Sequence, residues 1–394
     1  MSERAVSGRG LTRVATGLRR GAPLLILGLC LVAGLARART FVYVANYNNS
    51  TIGVYTEDHR GNLVTSQTVP TPGGPESIVA DPLGYVITAD SLAHAVSAYR
   101  VNPADGRLTR AAVRLESPRA NPFSLTASPG GHFVYVANSG DSTVGIYRLR
   151  RGRARLFPDG RVHEAPGATP YSVAFTPNGR YAYVANFGNA TIGMYRRTPR
   201  HAALTSLGVF HEPPDDGPYG LAVGPDGRFL YVADFRANVL LVLGIGAHGR
   251  LSLKDRVTEP FDHHPDSLVI DPSGRYLFVA NTSANDISIF RIDQADGRIT
   301  HVGRVPTGGY PFSLTLDRAA RFVFAVNYGN STISRYRLDR HSGLLTVIGT
   351  TPEASDADPY GITALTVPVS AARHTPKTAG SHPVSGSDRK QAAP

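Results

Sequence analysis

Between residues 41 and 367 the apolar and polar positions alternate in short bursts, and the bursts recur. One stretch shows the form. "SVAFT" (172–176), "YAYVAN" (181–186), "TIGMYRR" (191–197) and "ALTSLGVF" (203–210) are β-branched and aromatic runs, separated by turn residues such as Pro-Asn-Gly and Gly-Asn. Alternation of this kind predicts half-buried strands joined by tight turns, and no segment carries a helical period of apolar residues.

Two marks measure the recurrence. The residue closing the "YVAN" run is Asn46, Asn138, Asn186, Asn281 and Asn327, with Asp90 and Asp234 at the same phase. A Pro-x-Ser/Gly mark falls at Pro75, Pro122, Pro170, Pro218, Pro265, Pro311 and Pro359. Both repeat seven times at 44 to 48 residues, a period that means a propeller or a solenoid. Four short antiparallel strands per unit predict an all-β, seven-bladed β-propeller. The ends agree: the chain enters with "FVYVAN", the second strand of a unit, and leaves with "YGITALTV" (360–367), a first strand without successors. The C-terminal strand should therefore join the N-terminal strands and close the ring, leaving no open end.

Charge changes the picture little. The net charge of +11 concentrates at the ends: residues 1–38 carry +5, residues 368–394 carry +3, and the propeller only +3. Nucleic acid is therefore not an expected partner. The N-terminus reads as an export signal: basic residues to Arg20, an apolar run "PLLILGLCLVAGL" (23–35), then "ARA" (36–38) in the form of a cleavage site. The run is short for a membrane span, and the only cysteine, Cys30, leaves with it. The expected organisation is a signal peptide (1–38), the propeller (39–367) and a disordered tail (368–394). The product is a periplasmic or secreted monomer with no membrane span after signal removal.

The repeated residues have structural expectations. The "YVAN" asparagine should end its strand, bonding nearby backbone and tolerating a left-handed turn. N-x-Ser/Thr sequons such as Asn189-Ala190-Thr191 follow from the repeat. Six residues ahead of each Pro mark stand Glu116, Glu164, Glu212, Glu259 and Glu353, with Val69 and Val305 in the other two units. Either each glutamate accepts hydrogen bonds from its own loop backbone, or together they form a polar rim at one mouth of the channel.

Chemistry should lie where the repeat is broken. "EPFDHHPDS" (259–267) brings Asp262, His263, His264 and Asp266 to the entry of one blade. The preceding blade offers "ADFRANV" (233–239), where Asp234 replaces Asn and Arg236 sits in the turn, and "FHEPPDDGPY" (210–219), with His211, Asp215 and Asp216. Strand count puts all three on one face. Asp234, Arg236, His263 and His264 are the catalytic candidates: a general base for water and a cation for a developing oxyanion. Asp262, Asp266, His211, Glu212, Glu164 and Glu259 are candidate ligand contacts. No spacing is diagnostic of a metal, so neither metal nor cofactor is assigned. A weaker departure is "TADSLAHAV" (88–96), with Asp90 and His94.

The units "SPGGHFVYVANSGDSTVGIYRL" (128–149), "TPNGRYAYVANFGNATIGMYRR" (176–197) and "DPSGRYLFVANTSANDISIFRI" (271–292) resemble the lactonase-type and YVTN-repeat seven-bladed propellers. The resemblance spans 41–367 and implies that fold, and it offers an activity similar to that of 6-phosphogluconolactonase. It also implies a His-x-His ahead of an inner strand and an Asp-Leu-Gly-x-Asp at the following turn. Those places hold Pro218-Tyr219-Gly220 and Asp234-Phe235-Arg236-Ala237-Asn238, where Asp234 alone matches. Two functions are therefore expected in competition. One is an exported hydrolase of a sugar or related lactone, acting at the channel mouth. The other is a non-catalytic YVTN-type propeller binding a protein or glycan.

Overall fold

The computed structural model describes residues 38–150, 155–198, 202–258, 263–354 and 356–368. The expected signal peptide, apart from Ala38, and the expected disordered tail, apart from Pro368, lie outside the described residues, as do Glu259 and Asp262. Seven four-stranded antiparallel sheets make up the fold, and the single helix among the described residues is a 3-10 turn, Tyr328–Asn330. Blades are numbered here along the chain. Blade one holds residues 38–70 and blades two to seven begin at Pro75, Pro122, Pro170, Pro218, Pro265 and Pro311. The C-terminal strand, Pro359–Pro368, is the inner strand of blade one and pairs antiparallel with Ala38–Asn46. The ring is closed as the phase of the repeat required.

The second strand is buried along its whole length in blades two to seven, as in Tyr181–Asn186 and Phe229–Asp234, and in blade one from Thr40 onward. The strand is sandwiched between neighbouring sheets, so both faces carry apolar side chains. The "YVAN" tyrosine also latches blades together. The Tyr183 hydroxyl donates to the Gly249 carbonyl of the next blade at 3.1 Å, and that of Tyr231 to Gly297 at 3.0 Å. A Cβ on Gly249 would lie 2.3 Å from the Tyr181 ring, and its φ of +76° is one that glycine adopts without strain.

The "YVAN" asparagine differs from expectation in two respects: its amide bonds side chains instead of nearby backbone, and it is not the left-handed residue of the turn. The left-handed residue of the turn is the fourth one after it, Ala190 in blade four and Asn238 in blade five. Asn186 is free of that task because its amide is engaged elsewhere: its Nδ2 donates to Thr191 Oγ1 at 3.2 Å and to Glu164 Oε2 at 2.8 Å.

One irregularity positions the site. In every blade the register between the inner and second strands shifts just after the Pro mark: Pro170 pairs with Asn186, but Ser172 pairs with Ala185. Tyr171 is the extra residue of a β-bulge, a device that re-aims a side chain. The equivalents are Glu76, Phe123, Tyr219, Asp266, Phe312 and Tyr360, and all seven line one cavity.

Candidate active site at the channel mouth

The cavity lies at the end of the central channel and measures about 160 Å³. Five of its seven bulge residues are aromatic. Phe123 stacks on Tyr171 with centroids 4.2 Å apart, and Tyr219 meets Tyr171 edge-on at 4.9 Å. Phe312 and Tyr360 form a second pair at 4.7 Å. Rings from the turn after the second strand extend this wall outward, with Phe187 stacked on Tyr171 at 4.8 Å. Such a wall suits the apolar face of a sugar ring.

Two carboxylates interrupt it. Glu76 Oε1 accepts from Ser91 Oγ at 2.9 Å, while its Oε2 is buried with no donor. Burial pushes its pKa from 4.5 to about 7, against the opposing pull of Ser91. Asp266 is 3% exposed and accepts from Thr282 Oγ1 at 3.3 Å. Burial raises its pKa well above the ordinary aspartate value. Both cavity carboxyls are thus shifted upward by burial, toward the protonated form.

The residues singled out from the repeat's departures divide among three places. Asp266 alone of them lines the channel cavity. Arg236 and His264 stand on its rim: the Arg236 guanidinium lies 4.0 Å from the Phe187 centroid, and His264 stacks on Phe235 at 4.7 Å. His264 Nδ1 is 2.6 Å from Ser283 Oγ. The adjacent histidines part company because His264 takes a left-handed φ of 49°. His263 turns inward, 2% exposed, with Nδ1 3.9 Å from an Asp286 oxygen. Asn238 Oδ1 accepts from the backbone N–H of both histidines, at 3.0 and 3.1 Å, tying the entry of blade six to the turn of blade five.

Asp234 is fully buried beside the cavity's wall and does not line it. Its oxygens accept from the Gly217 N–H at 2.9 Å and the Ala237 N–H at 2.9 Å, and it faces Glu212 and Asp216. His211 closes the outer strand Leu204–His211 and does not line the cavity.

Nor do the described glutamates of the loops ring the mouth. Glu164 is buried between blades three and four and accepts from Asn186 and, at 2.5 Å, from the Tyr195 hydroxyl. Glu353 accepts from Asn46 at 3.0 Å, and Glu116 accepts from Tyr147 and from Arg161 at 2.9 Å. These three loop carboxylates therefore bond side chains of the blade that follows, instead of their own loop backbone. Glu76 lies outside the departures of the repeat. Its strand "PESIVA" keeps both the Pro and the Ser of the mark. The signal was in the variable position between them, which reads Glu, Phe, Tyr, Tyr, Asp, Phe, Tyr around the ring.

The lactonase seven-bladed β-propeller model matches residues 34–124, 116–302 and 267–358. The chain belongs to that family. Among solved structures, the lactonase-family chain resembles a candidate 6-phosphogluconolactonase of Bacteroides fragilis, at 20% identity and a TM-score of 0.74 over 83% of this chain and 98% of that one. It resembles the periplasmic gluconolactonase of Pseudomonas aeruginosa equally, at 21% identity and 0.74, over 84% and 100%. The virginiamycin B lyase of Staphylococcus aureus is further off, at 18% identity and 0.56, over 82% and 92%. At these identities the likeness establishes the fold; the site must speak for the chemistry. No curated protein matches the chain.

Proposed function

We propose that this lactonase-family propeller is exported and hydrolyses a sugar-derived lactone at the channel mouth. The observation that carries the reading is the pair of buried carboxyls, Glu76 and Asp266, that face one cavity among aromatic rings. Two such groups, both raised by burial, can divide the work of base and acid. Water bound at Glu76 Oε2 gives its proton to that carboxylate as its oxygen bonds to the lactone carbonyl carbon. The carbonyl oxygen gathers negative charge under the field of Arg236. The ring C–O bond then breaks, and the departing alkoxide takes the proton of Asp266, giving a hydroxy acid. The catalytic base moves from Asp234, which is sealed in the wall, to Glu76, which faces the cavity; Arg236 keeps the role expected of it.

Purified protein supplied with a panel of aldonolactones in a pH-stat tests the reading. Hydrolysis above the water rate is expected, and Glu76→Gln and Asp266→Asn should each lower kcat by about 10² or more. No turnover on the panel, or turnover unmoved by both changes, overturns it. The competing reading is a binding propeller. It is supported by Pro218-Tyr219-Gly220, where the family resemblance implies two histidines, and it would show saturable sugar binding without turnover.

Export is supported by the N-terminal pattern and by the likeness to a periplasmic relative. No helix among the described residues is long and apolar enough to cross a membrane.

A further inference from the structure

Blade five breaks a pattern that three other blades keep. In blades one, three and four a buried loop glutamate accepts from the hydroxyl of a tyrosine on the third strand: Glu353 from Tyr55, Glu116 from Tyr147, Glu164 from Tyr195. In blades one and four the "YVAN" asparagine donates as well. Blade five retains the glutamate, Glu212, but replaces both donors. Asp234 stands for the asparagine and Leu243 for the tyrosine. A third carboxylate, Asp216, is added. Two donors have thus become an acceptor and a hydrocarbon, around a carboxylate that is still there.

The consequence is a buried acceptor with nothing to accept. Glu212 is 8% exposed, and neither of its carboxylate oxygens has a donor. Asp216 and Asp234, at 3% and 0% exposure, close the site. One oxygen from each of the three lies within 4.8 Å of the others. Arg256 binds Asp216 in bidentate fashion, at 2.6 and 3.1 Å.

We infer that Glu212, Asp216 and Asp234 form a binding site for one divalent cation, and that the cation is calcium. Oxygens around a calcium ion at about 2.3–2.6 Å lie up to about 5 Å apart across it, the spread seen here. The donor set is all carboxylate, without the nitrogen or sulfur that zinc prefers. The burial leaves little room for the water shell that magnesium retains. Arg256 then acts as an outer partner, fixing the orientation of a ligating carboxylate. The ion would pin the loop 212–217 to the turn that carries Arg236, and so set the wall at Tyr219. The inference stands apart from lactone hydrolysis, because it concerns a neighbouring site and is read without substrate.

The test uses full-length protein stripped with EDTA and then titrated with CaCl₂, MgCl₂ or MnCl₂, followed by thermal melting and by calorimetry. Calcium should bind at one site per chain. At a hundredfold excess over Kd it should raise Tm by about 4 °C, from mass action on a folded part of this size. Glu212→Gln supplies an N–H donor to Asp234, and Asp234→Asn restores the residue of the sister blades. Both should fold, melt in EDTA at or above the parent temperature, and lose the response. No shift and no heat with any of the three ions up to about 5 mM, beyond the range of weak extracellular calcium modules, would leave a proton shared by Glu212 and Asp234 in the ion's place and overturn the inference. So would a calcium response that survives in both variants.

Discussion

Replacing Glu76 by Gln should stabilise the protein while it removes activity, and the stabilisation should depend on pH in a defined way. The glutamate's pKa rises from 4.5 when unfolded to about 7 when folded. Below pH 4.5 the side chain is protonated in both states and costs nothing. Between pH 4.5 and 7 the unfolded chain ionises while the folded one keeps its proton, so the parent loses stability as pH rises. Above pH 7 the full difference is lost, about 3 kcal/mol at about 1.4 kcal/mol per pKa unit. Gln keeps the shape and the Ser91 hydrogen bond but never ionises. For a folded part of about 330 residues, with an unfolding entropy near 2.1 cal/mol/K per residue, about 3 kcal/mol is roughly 4–5 °C in Tm. Parent and variant melted side by side from pH 4 to 9 should therefore agree at the acid end, then diverge to that plateau above neutrality. Subtracting the two curves cancels the other buried carboxylates. A flat difference, or a variant less stable than the parent at pH 8, would refute the claim that Glu76 is held against its preferred ionisation. A site that destabilises its own fold is what catalysis commonly demands.

Tyr195→Phe removes the hydroxyl that donates to buried Glu164, a charge-assisted bond whose loss should cost about 1.5–3 kcal/mol in urea denaturation. In a Glu164→Gln background the same change should cost markedly less, and additivity would show that the two side chains are not coupled. For export, the intact mass of protein recovered from the periplasm or medium should begin at Arg39. Full-length chain found only in the cytosol would sink that reading.

The fold was legible because it is repeated. Seven copies of Pro-x-Ser/Gly and of the "YVAN" phase fix strand, turn and blade, and an inner strand missing at one end with outer strands missing at the other implies closure. The site was legible only in part. Departures in the loops drew attention to Asp234 and His263, but such departures also arise where one buried network replaces another, and Asp234, beside the retained Glu212, is of that kind. The side chains that meet in the channel occupy the one position per repeat that carries no consensus. A bulge, which depends on the pairing register and is silent in the sequence, turns that position inward. Asp266 was found because it sits in a conspicuous loop, and Glu76 was missed because its strand is otherwise regular.

Closure through Pro359–Pro368 has a consequence for how the chain comes into being. The Thr40 and Thr366 hydroxyls, 3.0 Å apart, belong to residues 326 positions apart in sequence. A chain emerging N-terminus first therefore presents Ala38–Asn46 long before its inner partner exists. The equilibrium cost of joining such distant segments grows only logarithmically with separation; the burden is one of time, during which the edge of blade one is open to other chains. Only a chain that has been made to its last strand can hide that edge. Truncation within residues 359–368 should thus yield not a slightly weaker propeller but an open sheet that recruits its neighbours.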